Sequence, residues 1–470
     1  MGKLIVRIAS LLLIAAFLPT AVLAAEWNLE NGSIEITATA NAEGGTTQTV
    51  SQGGSSAEDS NPTITSKGKE TNNTITIKAD DGTTANVTIK DTNISTGSAA
   101  IKTEGKGNVN LNVEGTNTVS SGNKHAGVEK SNGGNLTIGS ESGEGKLTAN
   151  GGEYGAGIGG GDAQSGNDIT ITGGEIIANG GGYGAGIGGG WYGNGSDITI
   201  SGGEVTANGG RFAAGIGGGW SGNGSDITIS GGEVTANGGE AGAGIGGGYL
   251  HSGNDITISG GEVNATGGTT GAGIGGGFNG DASDIAISKD SQVEAKGGAA
   301  NGISDWGASI GCGGNYNGTP GEEVSPDTSG LYTTGKVERK SGDGTVLGTI
   351  TGTVEPPVEP EKSVAEEPAA REPLYRVTDL EGKNLPYQAE TADGVLTVTA
   401  SADGAILTGT LRALGYLANQ GIEKITFTDG AHTATIVLAD LIAKGEAEAV
   451  YVLTLGAENT LTLNGEAIDF

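Results

Sequence analysis

Five aspartates recur along the chain at one constant interval, and an alternating apolar triplet such as Ile-Thr-Ile follows each one. They are Asp168, Asp197, Asp226, Asp255 and Asp284. If equivalent residues stack on neighbouring strands, which lie about 4.8 Å apart, these carboxylates form a column. Calcium prefers several oxygen ligands, so the column is a candidate Ca²⁺ site. The structural alternative is that each Asp accepts hydrogen bonds from backbone amides at a corner of the chain.

Aromatic residues follow the same period on both sides of the repeated motif "AGIGGG". Four residues after its isoleucine stand Trp191, Trp220, Tyr249 and Phe278, and four residues before it stand Tyr154, Tyr183 and Phe212. Sugar rings pack on aromatic faces, so the first set, together with the outward Thr199 and Thr228, is a candidate carbohydrate-binding surface. The alternative is that the rings stack on one another and stabilise the edge of the fold.

The glycines themselves resemble a phosphate-binding loop but lack its context. Gly155, Gly157 and Gly160 fit the pattern G-x-G-x-x-G. A dinucleotide site needs a helix after this loop, whereas another Asp-Ile-Thr-Ile segment follows here. Calcium-binding nonapeptide repeats are excluded because the repeat is far longer than a nonapeptide. The glycines are therefore predicted to be structural.

Catalysis is weakly supported in the repeats. A polysaccharide lyase needs a basic residue to remove a proton. Between Lys146 and Lys289 the sequence has no lysine, and its basic residues are Arg211 and His251. Columns of identical carboxylates also provide no unique pair for a hydrolase. A non-catalytic protein is favoured, while the segment 86–146, with several lysines and His125, leaves the question open.

The repeat predicts how these columns are positioned. Each copy contains three short alternating pieces, Asp-Ile-Thr-Ile, Glu-Val-Thr-Ala and Ala-Gly-Ile, separated by glycine-rich turns. Three strands and three corners make one 29-residue coil of a right-handed, single-stranded parallel β-helix, whose core forms only when coils stack. The inward residues of one coil are predicted to be Ile198, Ile200, Val205, Ala207, Ala214 and Ile216. A second outward column contains Glu175, Glu204, Glu233 and Glu262 and is interrupted at Ser291.

The sequence as a whole predicts five regions along the chain. Residues 1–25 read as a signal peptide, with Lys3, Arg7 and the apolar run "IASLLLIAAFL". Residues 26–65 are predicted to cap the helix, and residues 66–352 to form the helix and a terminal hairpin. Residues 353–373, rich in Pro and Glu, read as a linker. Residues 374–470 predict a small α+β module that could contact the cell envelope or another surface protein.

The net charge of the chain limits the classes of molecule that it is expected to bind. The chain has 24 Lys plus Arg against 55 Asp plus Glu, a net charge of -31. Such a chain repels nucleic acid and attracts cations.

The single cysteine, Cys312, excludes an internal disulfide framework.

The units "DITISGGEVTANGG" and "AGIGGG", with "LNVEGTNTVSSG" upstream, resemble repeats of bacterial exported surface proteins. These are the right-handed β-helix proteins often described as carbohydrate-binding domain-containing. The resemblance implies a fold like that of pectate lyases, and some such proteins bind acidic plant polysaccharide with calcium. We therefore expect a secreted or cell-surface polysaccharide-binding protein. The alternative is a structural or adhesive stalk that presents the C-terminal module.

Overall fold

The computed structural model describes residues 26–41, 45–299 and 306–355, and then residues 375–468 except 382, 384, 386, 393, 402–403, 420–421, 446–448 and 457–458. By internal contacts the chain divides into two compact units, Met1–Pro357 and Val358–Phe470. The predicted signal peptide and most of the predicted linker lie outside the described residues.

The first unit contains three sheets, each of which takes one strand from every coil. The Asp sheet carries the repeated aspartates, and its strands are Glu26–Asn28, Thr63–Thr65, Thr84–Lys90, Asn108–Glu114, Leu136–Gly139, Gly166–Ile171, Gly195–Ile200, Gly224–Ile229, Gly253–Ile258 and Ala282–Ile287. The Glu sheet carries the repeated glutamates, and its strands are Glu70–Thr71, Asn93–Ser95, Thr116–Ser120, Lys146–Asn150, Glu175–Asn179, Glu204–Asn208, Glu233–Asn237, Glu262–Thr266, Gln292–Lys296, Lys336–Lys340 and Val346–Thr351. The glycine sheet carries the repeated Ile-Gly pair, and its strands are Ile34–Ala40, Thr46–Gln52, Ser55–Glu58, Ile75–Ala79, Ile101–Gly105, Val128–Lys130, Ile158–Gly159, Ile187–Gly188, Ile216–Gly217, Ile245–Gly246, Ile274–Gly275 and Ile310–Gly311.

The register of these sheets follows the sequence period. Ile198 pairs with Ile227, Val205 with Val234 and Ile216 with Ile245, each in parallel and each with its equivalent in the next repeat. Equivalent residues therefore stack in columns along the unit, which confirms the predicted parallel β-helix with 29-residue coils. The right hand of the coil stays a prediction.

The predicted inward residues form the buried interior. Ile198, Ile200, Val205, Ala207, Ala214 and Ile216 are at most 1% exposed. All except Ala214 belong to one continuous apolar cluster that runs from Leu29 to Val337. Because each coil buries its apolar side only against its neighbours, stability in this unit comes mainly from stacking.

Glycine is required on the third side because backbones approach closely there. Gly217 has a φ of +127°, a conformation that L side chains rarely adopt. A Cβ atom on Gly217 would lie 2.1 Å from the carbonyl oxygen of Gly246 in the next coil, and a Cβ atom on Gly186 would lie 2.6 Å from the backbone nitrogen of Asn208. The repeated glycines are therefore places where two backbones meet.

Antiparallel strands end the helix. At the N-terminal end, Thr46–Gln52 and Ser55–Glu58 extend the glycine sheet in antiparallel fashion, within the predicted cap. The first strands of that segment, Glu26–Asn28 and Ile34–Ala40, already pair in parallel with the coils, and a short 3₁₀ turn at Leu29–Asn31 links them. At the other end, Lys336–Lys340 and Val346–Thr351 form the predicted hairpin.

The second unit has its own core. Its five-stranded sheet contains Tyr375–Asp379, Ala405–Thr410, Val450–Thr454, Thr460–Leu463 and Glu466–Ile468, and its four-stranded sheet contains Tyr387–Ala392, Val395–Ala400, Lys424–Thr428 and Thr433–Val437. Two short helices, Leu411–Asn419 and Leu438–Ile442, complete the unit, which therefore contains both helices and strands, as predicted. In the described part of the chain, no helix combines the length and apolarity needed to span a lipid bilayer.

Candidate functional site

The five repeated aspartates occupy an irregular position in each strand of the Asp sheet. In one coil pair, Ser196 pairs with Ser225 and Ile198 with Ile227, while the Asp between them has no ladder partner. All five residues have φ between +52° and +54°, the left-handed region that Asp tolerates better than most residues. Because each of these coils has the same positive-φ Asp at this position, the strands bend together without a change of register, and the Asp side chain lies on the outer face.

The carboxylates on this face are exposed and have no hydrogen-bond partner within the described residues. Asp168, Asp197, Asp226, Asp255 and Asp284 are all exposed. None of them accepts a hydrogen bond or joins an ion pair within the described chain, so the structural alternative, in which Asp holds backbone amides, is wrong. The positive-φ backbone places each Asp on the outer face, where no described side chain or backbone amide binds its carboxylate.

Threonines lie beside the carboxylates on the same face. Thr199, Thr228 and Thr257 are half-buried, one residue beyond the buried Ile that follows each Asp. Together the two columns line a shallow groove of about 380 Å³ that extends from Asp197 to Asp284. The structure thus brings the predicted threonines and four of the five predicted aspartates into one polar surface, which we call the Asp–Thr face.

The aromatic residues lie elsewhere, at the turns on either side of the glycine sheet. Trp191 and Trp220 stack with ring centroids 5.8 Å apart, and the stack continues through Tyr249 to Phe278 at 6.4 and 5.6 Å. Tyr154, Tyr183 and Phe212 form a second ladder with spacings of 5.5 Å.

The two ladders also contact each other. Trp220 meets the ring of Tyr183 edge-on at 5.9 Å, and its backbone N–H donates to the carbonyl oxygen of Tyr183 at 2.9 Å. The exposed Tyr192 lies against both tryptophans, at 4.5 and 4.8 Å. The faces of the rings inside the ladders are therefore covered by neighbouring rings. The predicted sugar binding by Trp191, Trp220, Tyr249 and Phe278 stays a prediction, and it is restricted mainly to ring edges.

The second acidic column lies on the Glu sheet and differs from the prediction at one end. Glu175, Glu204, Glu233 and Glu262 stack as expected, but Glu262 pairs with Gln292 rather than Ser291. The turn before Gln292 contains one more residue than the equivalent turns of the other coils. The constant interval of the sequence repeat therefore places this column at Ser291, one residue too early. Glu175 forms an ion pair with Lys146, which stands one coil earlier in the same column.

An asparagine ladder runs along the end of the Glu sheet and was not predicted. The Nδ2 atoms of Asn179, Asn208 and Asn237 each donate to the Oδ1 atom of the Asn one coil earlier, at 2.8 to 2.9 Å. The signal was present in the sequence, because Asn recurs once per repeat immediately before the second glycine pair. This ladder is a structural element, because it connects neighbouring coils through hydrogen bonds between their side chains.

The titratable groups of the early coils are paired with one another. On the outward side of the glycine sheet they form one alternating row, Glu35, Lys78, Glu104, Lys102, Glu129 and His125. Glu129 is only 2% exposed, and its Oε2 atom lies 2.7 Å from Nδ1 of His125. Nearby, burial lowers the pKa of Lys130, whose ammonium donates to the carbonyl oxygen of Asn132 at 2.6 Å. These contacts are those of a structural ion-pair network.

The aspartates of the column do not by themselves form a compact metal-binding cluster. No three acidic, histidine or cysteine side chains among the described residues come close enough together to hold a metal ion. Calcium usually needs six or more oxygen ligands, and the Asp column offers one carboxylate per coil. The predicted calcium site therefore stays a prediction, and it would require oxygen ligands besides the carboxylates of the Asp column.

Comparison with known proteins agrees with the coil geometry. A family model described as "Beta helix repeat" matches residues 142–162, 169–191, 198–220, 227–249 and 256–278. No curated protein and no solved structure matches the chain. The last four matched segments each begin directly after an Asp of the column and end at Trp191, Trp220, Tyr249 or Phe278, whereas residues 142–162 precede Asp168. With three sheets built from stacked coils, the chain is a β-helix protein.

Proposed function

We propose that this chain is a secreted or cell-surface protein that binds polysaccharide on the Asp–Thr face without cleaving it. The observation that carries the proposal is the groove from Asp197 to Asp284, whose exposed carboxylates have no partner in the described protein. An ordered polar surface with unused acceptors is suited to a ligand rich in hydroxyl groups, because each carboxylate accepts several hydrogen bonds.

The dimensions of the face favour a polymer over a single sugar. The same pair of groups, one carboxylate and one threonine hydroxyl, recurs in three successive coils at a spacing of about 4.8 Å, and the fourth coil has Asp284 with Ala286 in place of the threonine. A polysaccharide laid along the coils would present similar hydroxyl groups to each successive pair. Binding energy would then accumulate over several weak, equivalent contacts, as in other multivalent interactions.

The charge of the face favours a neutral polysaccharide. Four aspartates line the groove, and the described residues provide no cation beside them. An acidic glycan would be repelled unless calcium lay between its carboxylates and those of the protein, with both contributing ligands. A neutral glycan needs no such ion.

A glycan array probed with the full chain, with and without calcium, tests this proposal. Thr199→Val together with Thr228→Val should weaken binding to the polysaccharide that the wild type retains. Thr206→Val with Thr235→Val provides a matched control, because these threonines occupy the same coils on the Glu sheet. If no glycan binds in either condition, or if both double variants lose binding equally, the proposal is wrong.

The second candidate function is a structural stalk. It is favoured by the two self-stacked aromatic ladders and the asparagine ladder, which all serve contacts between coils. A stalk needs no free surface, so the array separates the two functions. The C-terminal unit would then provide the contact with the cell envelope or another surface protein.

A further inference from the structure

The aromatic ladder ends in a contact between two tyrosines that are distant in sequence. Tyr316 places its ring edge against Phe278, with centroids 4.7 Å apart and planes at 83°. Its hydroxyl group is hydrogen-bonded to the hydroxyl group of Tyr249, 67 residues earlier. Tyr316 is 65% exposed, so this phenol pair is accessible from solvent.

Tyr249 is held in place from several sides. Its ring stacks between Trp220 and Phe278, and its backbone N–H donates to the carbonyl oxygen of Phe212 at 2.9 Å. A phenol carries its reactive ortho carbons on either side of the hydroxyl group. Because the two hydroxyl groups meet, the ring edges that carry these carbons are neighbours.

The ladder connects this pair to the indole rings by continuous ring contacts. Trp191 stacks on Trp220, which stacks on Tyr249. The Nε1–H group of Trp191 is buried and has no hydrogen-bond acceptor among the described residues. An oxidised Trp191 therefore has no local group to take its proton, whereas each phenol of the pair contacts a hydroxyl group beside solvent. A one-electron oxidation on the ladder is expected to end at the tyrosines.

We propose that Tyr249 and Tyr316 are a site of intramolecular dityrosine formation under a peroxidase and hydrogen peroxide. Each phenol loses one electron and one proton, and the two phenoxyl radicals join through a carbon–carbon bond between ortho positions. The ortho hydrogens then move to the oxygens, which restores both aromatic rings and hydroxyl groups. The two electrons and two protons reduce one peroxide to two water molecules. The product would fasten the segment around Tyr316 to the regular coils.

The test is oxidation of the full chain with peroxidase and peroxide, followed by proteolysis and mass spectrometry. The expected product is one cross-linked pair of peptides containing Tyr249 and Tyr316, two hydrogens lighter than their sum, in monomeric protein. Tyr316→Phe and Tyr249→Phe should each abolish it, and both keep the ring contacts of the ladder.

Tyr192→Phe is the matched control. Tyr192 is 52% exposed and lies against both tryptophans, but its ring contacts do not include another phenol. This variant should retain the cross-link. The proposal is overturned if the 249–316 product is absent from the wild type while free tyrosine couples in the same reaction, or if dityrosine appears only between separate chains.

Discussion

Removal of one amide from the asparagine ladder should destabilise the β-helix in proportion to the hydrogen bonds lost. Asn208 makes two ladder bonds, because it donates to Asn179 at 2.8 Å and accepts from Asn237 at 2.9 Å. Asn237 makes only the bond to Asn208, since the residue one coil later is Thr266. The chain therefore contains its own comparison between two bonds and one.

A hydrogen bond contributes about 0.5–1.5 kcal/mol to stability. Asn208→Ala should lower the free energy of unfolding by about 1–3 kcal/mol, and Asn237→Ala by about half as much. Thr266→Ala is the control, because this side chain has no ladder bond and surface changes of this kind usually cost less than about 0.5 kcal/mol.

Tryptophan fluorescence during urea unfolding is the assay. All four tryptophans precede Pro357, so the signal reports on the β-helix unit and not on the C-terminal unit. The reasoning would be refuted if Asn208→Ala behaved like Thr266→Ala, or if Asn237→Ala cost more than Asn208→Ala.

Three further predictions concern single positions. Gly217→Ala should cost about 2–5 kcal/mol in the same assay, since it combines a left-handed backbone with overpacking, and an unchanged midpoint would contradict this. The hydrogen bond with Tyr316 and burial raise the pKa of Tyr249, so Tyr316→Phe should lower that pKa toward 10.0 in a spectrophotometric titration. Burial opposes ionisation of Asp429, but backbone N–H groups including that of His432 outweigh it and lower its pKa from 3.8 to about 2. The stability contributed by that carboxylate is present above pH 3.8 and is lost as pH falls through about 2. Hydrogen exchange in the C-terminal unit should therefore show this acid dependence in the wild type and not in Asp429→Asn.

The coil could be predicted because the sequence repeats without insertion. From Ile158 to Ile274 every equivalent isoleucine follows the previous one at the same interval, and parallel stacking follows from that constancy. The prediction failed first where the interval changes. One extra residue before Gln292, with Lys289 at a φ of +57°, moves the Glu column by one place.

The role of the aspartates could not be predicted in full. Alternation correctly placed Ile198 and Ile200 inward, but it could not show that Asp197 has a positive φ and no partner in the parallel ladder. Ser196 and Ile198 pair in register with both neighbouring coils, while the Asp between them has no ladder partner. Only the structure shows that the carboxylate is therefore free of backbone partners.

The aromatic residues illustrate the converse case. Their period predicted two ladders, and both are present, but the period alone could not distinguish a sugar platform from a self-stacked column. The contact between Trp220 and Tyr183 at the outer side of the glycine sheet supports the self-stacked alternative for rings within the ladders. The candidate binding surface consequently shifts to the Asp–Thr face.

Carboxyl footprinting with a carbodiimide tests the proposed binding face most directly. The full chain would be labelled with and without the polysaccharide selected on the array, and the modified residues identified by mass spectrometry. Bound polysaccharide should protect Asp197, Asp226 and Asp255, while Glu204 and Glu233, on the other sheet of the same coils, react as before. Equal labelling of the aspartates in both states, or protection of the glutamates instead, would contradict the account.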